Sequence, residues 1–448
     1  MTTAPYTALD ERYLHPLADP ADRGHLTVLV RGRGVRVEDA EGRSYIDGLA
    51  GLWNVNLGHG REELVEAAAG QMRRLAFANT YSGWANVPAL ELAARLEAVA
   101  YPGLRASFFA TSGVDANEAA FKTARYYWRR QGRPAKVKII SLEHGFHGAT
   151  IAGMSATGIP DYARMFQPRL TEFIHVRSHY PYRCDFARTG EGAGAAAARA
   201  LEETIVREGP GTVAAFLAEP VQGAGGVIVP PDDYFPRVRE VLDRHGVLLI
   251  ADEIITGFGR TGEWFGLTHW GVRPDVFTFA KGVTSAYLPL GGMMVSEAIA
   301  RAIQDAPASE RWMHSSTYAG HPVCCAVALR TLDLLEREQL VPRVARVGRY
   351  LLERLRTLED LDCVGEVRGL GLMAAVELVA DRATRTPFDP GHRVGGRITR
   401  HAQAAGLILR TRGDVVTLAP PFVIAEAEID ETVAILRTAI EKTMGEIR

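Results

Sequence analysis

Short apolar runs alternate with helix-like segments between Arg61 and Gly292, and this alternation constrains the fold more than any other feature. The predicted strands are Ser107–Ala110, Lys138–Ser141, Val213–Ala218, Val247–Ala251, Val276–Phe279 and Gly292–Val295. The predicted helices are Glu62–Leu75, Pro88–Val99, Asp115–Arg130, Ala195–Arg207 and Phe235–His245. Strands this apolar must be buried on both faces. The pattern therefore predicts an α/β fold with a mostly parallel central sheet and helices on both faces.

Smaller elements flank this region. Leu26–Val30 and Val35–Glu38 read as an antiparallel pair joined by a loop at Arg31–Gly34. Long helical patterns at Pro322–Glu336 and Leu340–Leu358 lead to a smaller α+β unit. Its predicted elements are the strands Cys363–Arg368, Leu372–Leu378, Leu407–Leu409 and Val415–Leu418 and the helix Val394–Ala404. We expect residues 61–325 to form a large domain, residues 326–448 a small C-terminal domain, and residues 1–60 a segment joining the small domain.

The bulk properties exclude several functional classes. Of the 448 residues, 47% are hydrophobic and 23% are charged, which is typical of globular proteins. The net charge of −2 gives no basic field for nucleic acid or anionic lipid. No apolar run reaches membrane-spanning length, and residues 1–22 lack the apolar core of a signal peptide. The four cysteines form no C-x-x-C pair. We expect a cytoplasmic protein with neither nucleic-acid nor membrane partners.

A carboxylate and an amine are expected at one edge of the sheet. The strand Val247–Ala251 ends at Asp252, and a second apolar run, Asp275–Ala280, delivers Lys281. The carboxyl ends of parallel strands meet at one edge, where ligands gather. A lysine there can form an imine, and an acid there can hold a cationic ring nitrogen. Pyridoxal phosphate needs both groups.

Two further strand ends carry candidate groups. Thr111–Val114 links a strand to a helix, and the free N–H groups of a helix N-terminus suit a phosphate. The alternative is an ordinary turn in which Asp115 caps the helix. Glu219 ends the strand Val213–Ala218 ahead of a glycine-rich loop, which favours a functional carboxylate. An ion pair between Glu219 and an arginine stays open as well.

Two glycine-containing motifs each allow more than one interpretation. In Gly145-Phe146-His147-Gly148, small residues flank an aromatic side chain, so a planar ring could approach and stack. His144 and His147 could suggest a metal, but no third ligand is visible, so no metal site is predicted. Gly257–Gly262 fits G-x-G-x-x-G, yet the residues after it show little helical period. We interpret it as a loop and not as a dinucleotide site.

Together these segments resemble the class III pyridoxal-phosphate aminotransferases of fold type I. The resemblance runs from about Val35 to Phe422. Its most specific part is Leu249–Arg260, followed by Ala280-Lys281-Gly282. The segments that add independent support are Gly145–Gly148, Ala218–Gly223 and Ser315–Pro322, in family order.

The resemblance implies a role for each matching residue. Lys281 would bind the cofactor covalently as a Schiff base and then move a proton between the substrate carbon and the cofactor. Asp252 would pair with the ring nitrogen, while Ile254 and Phe146 would pack on the two ring faces. The remaining implied cofactor residues are His147, Glu219, the phosphate contacts Ser112, Gly113 and Val114, and Thr317, which would reach the site of a partner subunit. A homodimer, or a tetramer, is therefore expected.

Within the family, the segment Gly51–Gly60 is similar to ω-transaminases that use pyruvate. There Trp53 would wall a hydrophobic substrate pocket, and Arg410 would pair with the acceptor's carboxylate. Trp53 as core filler and Arg410 as a solvated charge are the open alternatives. The other expected substrate contacts are Leu52, Tyr81 and Phe146.

Two departures from the family pattern carry information. Thr417-Leu418 precedes Ala419-Pro420-Pro421 where the ornithine and GABA branches tend to keep an arginine, which would leave Glu219 without its usual partner. Val114 replaces the usual Ser or Thr beside the phosphate.

The resemblance thus implies ping-pong transfer of an amino group from a primary amine or ω-amino acid to pyruvate, giving alanine and an aldehyde or ketone. The nearest alternative is an aminomutase of the semialdehyde type. A binding protein that retains the cofactor without turnover is the alternative from another class.

Overall fold

The computed structural model describes residues 6, 9–17, 26–81 and 83–447. Most of residues 1–22, where we predicted no signal peptide, lie outside the described residues. Near the N-terminus, strands β1 (Leu29–Arg33), β2 (Arg36–Asp39) and β3 (Ser44–Asp47) pair antiparallel. The loop expected at Arg31–Gly34 is wrong. β1 continues through Arg33, and the chain reverses at Gly34, whose φ of 58° suits a tight turn.

The described residues form a seven-stranded central sheet in the order β4-β10-β9-β8-β7-β5-β6. Its strands are β4 (Leu104–Ala110), β5 (Lys138–Leu142), β6 (Phe173–Val176), β7 (Val213–Ala218), β8 (Leu248–Asp252), β9 (Val276–Phe279) and β10 (Gly291–Ser296). β7, β8 and β9 are buried along their whole lengths, as their apolar sequences require. The predicted α/β architecture is confirmed.

β10 is the exception to the parallel arrangement, because it runs antiparallel to both β4 and β9. The connection from β9 to β10 holds only a short 3₁₀ turn at Lys281–Thr284 and no crossover helix. A parallel return needs a longer crossover, so this connection leaves only the antiparallel direction. The edge strand β6 was not predicted, since four residues give too little periodicity.

Helices cover the central sheet and lead into the C-terminal region. They are α1 (Glu62–Arg74), α2 (Val87–Val99), α3 (Gly113–Arg130), α4 (Ile151–Ala156), α5 (Ala193–Glu208), α6 (Tyr234–His245), α7 (Glu297–Gln304), α8 (Pro322–Arg337), α9 (Leu340–Arg356), α10 (Val394–Ala404) and α11 (Glu426–Ile447). The helices predicted from sequence agree to within about one turn, whereas α4, α7 and α11 were not predicted. Along the described part of the chain, every helix is too short or too polar to cross a membrane.

The helix after β4 begins earlier than its sequence pattern indicates. α3 starts at Gly113, and the extended residue Ser112 is its N-cap. The Ser112 hydroxyl accepts a hydrogen bond from the Asp115 N–H at 3.2 Å. Asp115 as the N-cap is therefore wrong, and the Asp115 carboxylate instead accepts a hydrogen bond from the Thr111 hydroxyl.

A second sheet forms near the C-terminus, in the order β11-β12-β15-β14. The remaining strands are β11 (Val364–Leu370), β12 (Met373–Leu378), β13 (Leu407–Ile408), β14 (Arg410–Arg412) and β15 (Val415–Leu418). β13 pairs parallel with β3, which ties the N-terminal strands to the C-terminal region. The domain boundaries stay a prediction, and this pairing supports the assignment of residues 1–60 to the small domain.

Candidate active site

A cavity of about 260 Å³ lies at the carboxyl ends of β8 and β9. Its lining residues are Gly113, Val114, Phe146, His147, Gly148, Ala149, Glu219, Asp252, Ile254, Ile255, Ala280 and Lys281. The structure thus brings together most of the residues expected to contact the cofactor. Ser112 lies next to this set as the N-cap of α3, whereas Thr317 is exposed and does not line the cavity of its own chain.

The Asp252 carboxylate at the end of β8 is buried and held by three donors. Its Oδ2 atom accepts from Asn117 Nδ2 at 2.9 Å and lies 2.8 Å from His147 Nδ1. Its Oδ1 atom accepts from the Ile254 N–H at 3.2 Å. Asn117 is itself fixed, because its Oδ1 accepts from the Thr278 hydroxyl at 2.8 Å. The carboxylate therefore has one orientation before any ligand binds.

His147 braces Asp252, a contact that the sequence did not predict. The ring is buried, and Nδ1 donates to Asp252 in the tautomer that pairs with a carboxylate. Within the described part of the chain, Nε2 has no hydrogen-bond partner. Asn117, also unpredicted, lies one turn after Gly113 on the buried face of α3. A polar residue on that buried face was the only signal available for Asn117.

Lys281 follows β9 in a strained backbone conformation, with a φ of 45° that side-chain-bearing residues rarely adopt. Burial lowers the pKa of Lys281 to about 8, against the opposing effect of the carboxylates of Asp252 and Glu219. The positive charge of Arg410 lowers this pKa further. A larger share of the amine is therefore neutral near neutral pH, which suits a nucleophile or a base.

Glu219 links two loops around the cavity. Its carboxylate accepts from the Phe146 N–H and from the Gly223 N–H, each at 2.9 Å. Burial raises the pKa of Glu219 to about 7. Among the described residues, no arginine lies within 4.0 Å of this carboxylate. Glu219 thus holds the Phe146 loop against the glycine-rich loop.

Val114 packs where a hydroxyl was expected. A Cβ added at Gly148 would lie 2.2 Å from Val114 Cγ2, and one added at Gly153 would lie 2.7 Å from it. Both glycines are therefore required by the approach of this side chain. Similarly, a Cβ at Gly113 would lie 2.7 Å from Ile254 Cδ1. At this end of the cavity the start of α3 offers backbone amides as donors for an anion.

These groups fit pyridoxal phosphate. The Lys281 amine and the fixed Asp252 carboxylate line the same cavity, Ile254 and Phe146 provide apolar walls, and the N-terminus of α3 offers N–H groups to an anion. When bound, the cofactor supplies a carbonyl carbon that takes an amine and a ring that accepts electrons. Asp252 would keep the ring nitrogen protonated, and Lys281 would exchange protons with the reacting carbon.

Of the five expected substrate residues, Phe146 lines the cavity, whereas Trp53, Leu52, Tyr81 and Arg410 lie outside its wall. Trp53 is only 2% exposed and packs in an apolar cluster with Val221 and Ile255. Ile255 of this cluster lines the cavity, whereas Trp53 does not. This position agrees with the core-filler alternative for Trp53. Leu52 and Tyr81 are 49% and 43% exposed.

Arg410 on β14 lies beside the cavity. Its Nη2 donates to the Tyr162 hydroxyl at 3.4 Å, and the Tyr162 ring packs 4.8 Å from the Phe146 ring, which lines the cavity. Tyr162 was not predicted, because it lies in an irregular segment without a motif. In the part of the chain that the structure describes, Arg410 forms no ion pair within 4.0 Å.

Comparison with known proteins agrees with this geometry. Residues 18–440 match the family model described as aminotransferase class III. The chain belongs to the class III aminotransferases. Proteins of this family depend on pyridoxal phosphate, so the predicted family, cofactor and enzyme class are confirmed.

Three similar proteins show which kinds of aminotransferase this chain resembles. The putrescine–pyruvate aminotransferase of Pseudomonas aeruginosa is 41% identical over 422 residues, covering 94% of this chain and 91% of that protein. A thermostable (S)-enantioselective omega-transaminase from Thermomicrobium roseum superposes with a TM-score of 0.95 at 47% identity, covering 99% of both chains. An amine transaminase from an uncultivated Pseudomonas species, solved in its PLP-bound form, superposes with a TM-score of 0.93 at 41% identity, covering 96% of this chain and 98% of that chain. These similarities also confirm the predicted fold type.

Proposed function

We propose that this aminotransferase moves an amino group from a primary amine or ω-amino acid to pyruvate, giving alanine and an aldehyde or ketone. The observation that carries the proposal is Arg410, a half-buried cation beside the cavity that has no acidic partner within 4.0 Å among the described residues. A planar guanidinium suits the carboxylate of a keto acid. The name of the Pseudomonas aeruginosa relative, which includes pyruvate, supports the same acceptor.

The walls of the cavity support an amine as the donor. Phe146 and Ile255 present apolar surface, which suits the carbon chain of an amine. The Tyr162 hydroxyl would keep Arg410 in place when no carboxylate is bound. Lys281 would carry the proton to and from the reacting carbon, and Asp252 would pair with the ring nitrogen of the cofactor.

We further propose a homodimer in which Thr317 completes the partner's site. Thr317 is exposed and adjoins an exposed apolar patch, which we define as Phe77, Tyr81, Trp84, Val87 and Tyr318. The Phe77 and Tyr318 rings pack at 5.9 Å, so the two segments of the patch are contiguous. Exposed apolar patches of this kind favour a protein interface. Tyr81 would then reach substrate in the partner's site.

The cytoplasmic location of the protein stays a prediction.

A half-reaction tests the transfer. When the cofactor-loaded enzyme is mixed with L-alanine and no acceptor, we expect about one pyruvate to be released per active site, because the amino group stays on the enzyme. An aminomutase would return the amino group to its own substrate and release no keto acid. Absence of pyruvate together with isomerisation of an amino semialdehyde would replace the proposed function by the mutase. A binding protein without turnover would do neither.

A further inference from the structure

Lys281 begins a turn whose backbone is strained at three positions. This turn, which we define as residues 281–286 and call the Lys281 turn, starts at a φ of 45° and ends with Ser285 and Ala286 at 50° and 64°. Residues with a side chain keep such angles only where the surrounding structure holds them. Contacts from outside the turn must therefore hold Lys281 in this conformation.

The segment before α1 supplies two of these contacts. Asn56 is buried, and a Cβ added at Gly282 would collide with its Nδ2 atom, so the amide packs directly against the residue after Lys281. The Leu57 N–H donates to the Ser285 hydroxyl at 2.9 Å. The two contacts together hold both ends of the Lys281 turn, and the approach of Asn56 explains why a glycine follows Lys281.

Arg260 fixes Asn56 through the oxygen of the same amide. The Arg260 side chain is fully buried, and its Nη2 donates to Asn56 Oδ1 at 2.6 Å. Its Nη1 donates to the Pro420 carbonyl at 2.6 Å and to the Leu372 carbonyl at 3.3 Å. The guanidinium also lies 4.7 Å from the centre of the Phe422 ring. Arg260 therefore joins Asn56 to the connections before β12 and after β15.

The burial of this guanidinium is not explained by an ion pair. Among the described residues, no carboxylate lies within 4.0 Å of Arg260, and burial lowers the pKa of Arg260 to about 9. Apolar residues of similar volume often replace buried charges without loss of stability, so core packing alone does not require an arginine. Its donors instead bind oxygen atoms from three separate segments, which an apolar side chain cannot do.

We propose that Asn56 and Arg260 are positioning residues, which hold the Lys281 turn so that the Lys281 amine stays in the cavity. Asn56 blocks relaxation of the turn at Gly282, and Arg260 keeps Asn56 in place. Neither residue is part of the cavity wall. The inference gives a role to the loop Gly257–Gly262, and it rests on the proposed role of Lys281 as the residue that binds pyridoxal phosphate.

The test measures how fast the cofactor-free, full-length protein captures pyridoxal phosphate, followed by absorbance as a function of pH. Capture needs the neutral amine, and burial in the cavity lowers the pKa of Lys281 to about 8. The charges of Asp252, Glu219 and Arg410 also act on this pKa, and all three residues are unchanged in every variant. The midpoint of the pH profile thus reports the position of the amine.

Two variants loosen the Lys281 turn. In Asn56→Ala the turn can relax and the amine becomes better solvated, so the pKa of Lys281 should rise from about 8 toward its ordinary value of 10.5. Capture near neutral pH should then slow by about tenfold or more. Arg260→Met keeps the apolar length of the side chain but loses the hydrogen bond to Asn56. It should move the midpoint in the same direction by a smaller amount, and it alone decides if Asn56→Ala does not fold.

Arg343→Met is the matched control. Arg343 donates to the Phe422 and Ile424 carbonyls at 3.0 and 2.7 Å, so it anchors the chain after β15 as Arg260 does, without a hydrogen bond to Asn56. This variant should lower the melting temperature and leave the midpoint of capture as in the wild type. A wild-type midpoint in Arg260→Met or in Asn56→Ala would overturn the proposal.

Thermal unfolding tests the contact itself. Gly282→Ala places a methyl group against Asn56 and should lower the melting temperature of the full-length protein. In the Asn56→Ala background the methyl group has space, so the same substitution should have a smaller effect. Equal decreases in both backgrounds would show that Asn56 does not hold the Lys281 turn.

Lys281→Ala separates failure of this inference from failure of the proposed role of Lys281. If Lys281→Ala captures pyridoxal phosphate at the wild-type rate, the role of Lys281 is wrong and the inference falls with it. If capture needs Lys281 but the midpoints do not move, the positioning role of Asn56 and Arg260 alone is wrong.

Discussion

The two ends of the active site differ in how their charges are satisfied. At the carboxyl end of β8, Asp252 is held by His147, Asn117 and a backbone N–H. At β14, Arg410 and Arg412 have a tyrosine hydroxyl and one backbone carbonyl as their hydrogen-bond partners, at 3.4 and 3.2 Å. The hydrogen bonds of Asp252 are formed before a ligand binds, whereas the arginines of β14 keep N–H groups free to bind one.

This difference matches the two kinds of ligand that an aminotransferase handles. A resident cofactor returns to the same position in every cycle, so fixing Asp252 in advance costs nothing during turnover. Donor and acceptor alternate in the same space, and a cation that loses only a weak hydrogen bond can change partners easily. Substitutions at the first end should therefore affect all substrates equally, and substitutions at the second should separate them.

The largest effect is expected at Lys281. Lys281→Ala removes the amine that we propose carries the proton, so turnover with every substrate should fall by at least about 10³-fold. The measurement is steady-state turnover with pyruvate and with an aldehyde acceptor that lacks a carboxylate. Lys442→Ala, an exposed lysine on α11, is the matched control and should behave as the wild type. An equal loss in both variants, or no loss in Lys281→Ala, would contradict the assignment.

Arg410→Ala should separate the acceptors. The loss of a desolvated charge-assisted contact costs about 2–5 kcal/mol in transition-state binding. We expect kcat/KM with pyruvate to fall by the factor that corresponds to this loss of binding free energy. We expect kcat/KM with an aldehyde that lacks a carboxylate to change far less. Equal losses for both acceptors would show that Arg410 does not bind the carboxylate, and the contrast between the two ends would disappear.

His147→Phe tests the fixed end with a smaller change. It keeps the volume but removes the hydrogen bond to Asp252, so turnover should fall by about tenfold to a hundredfold for all substrates. The pH at which the bound cofactor's absorbance changes should also move, which a purely structural defect would not cause. The control is His179→Phe, a buried histidine packed on Tyr234 away from the cavity, which should leave that pH unchanged.

The smallest effect concerns pH and Glu219. Its pKa is raised from 4.5 to about 7 by burial, so folding favours the protonated form. The stability that this group contributes is present below pH 4.5 and is lost as the pH rises through 7. In the cofactor-free protein, Glu219→Gln should therefore gain melting temperature relative to the wild type between pH 5 and pH 8. A difference that is constant with pH would contradict the raised pKa.

The sequence predicted the residues that end regular strands. Asp252 ends β8, Glu219 follows β7 directly, and Lys281 lies two residues after β9. Parallel strands bring their carboxyl ends to one edge, so the meeting of these residues needed no tertiary information. The contact between His147 and Asp252 joins residues 105 positions apart in the chain and left no local signal.

The contacts of β14 could be predicted only in part. The strand predicted from the sequence ends at Leu409, so β14 was not predicted. In the structure its alternation places Arg410 and Arg412 on one face, and their hydrogen bonds depend on Tyr162 and Gly225. The position of Trp53 depends on the backbone of its own turn, where its φ is 64°. Such a turn has no periodicity from which the direction of the side chain could be predicted.

The central claim is that Lys281 and Asp252 hold pyridoxal phosphate between them, and reduction with borohydride tests it most directly. The purified enzyme should be yellow, lose that absorbance on reduction, and yield one peptide whose mass has increased by the reduced cofactor, with the modification on Lys281. A colourless protein that takes up no pyridoxal phosphate, or a modification on another lysine, would contradict the account.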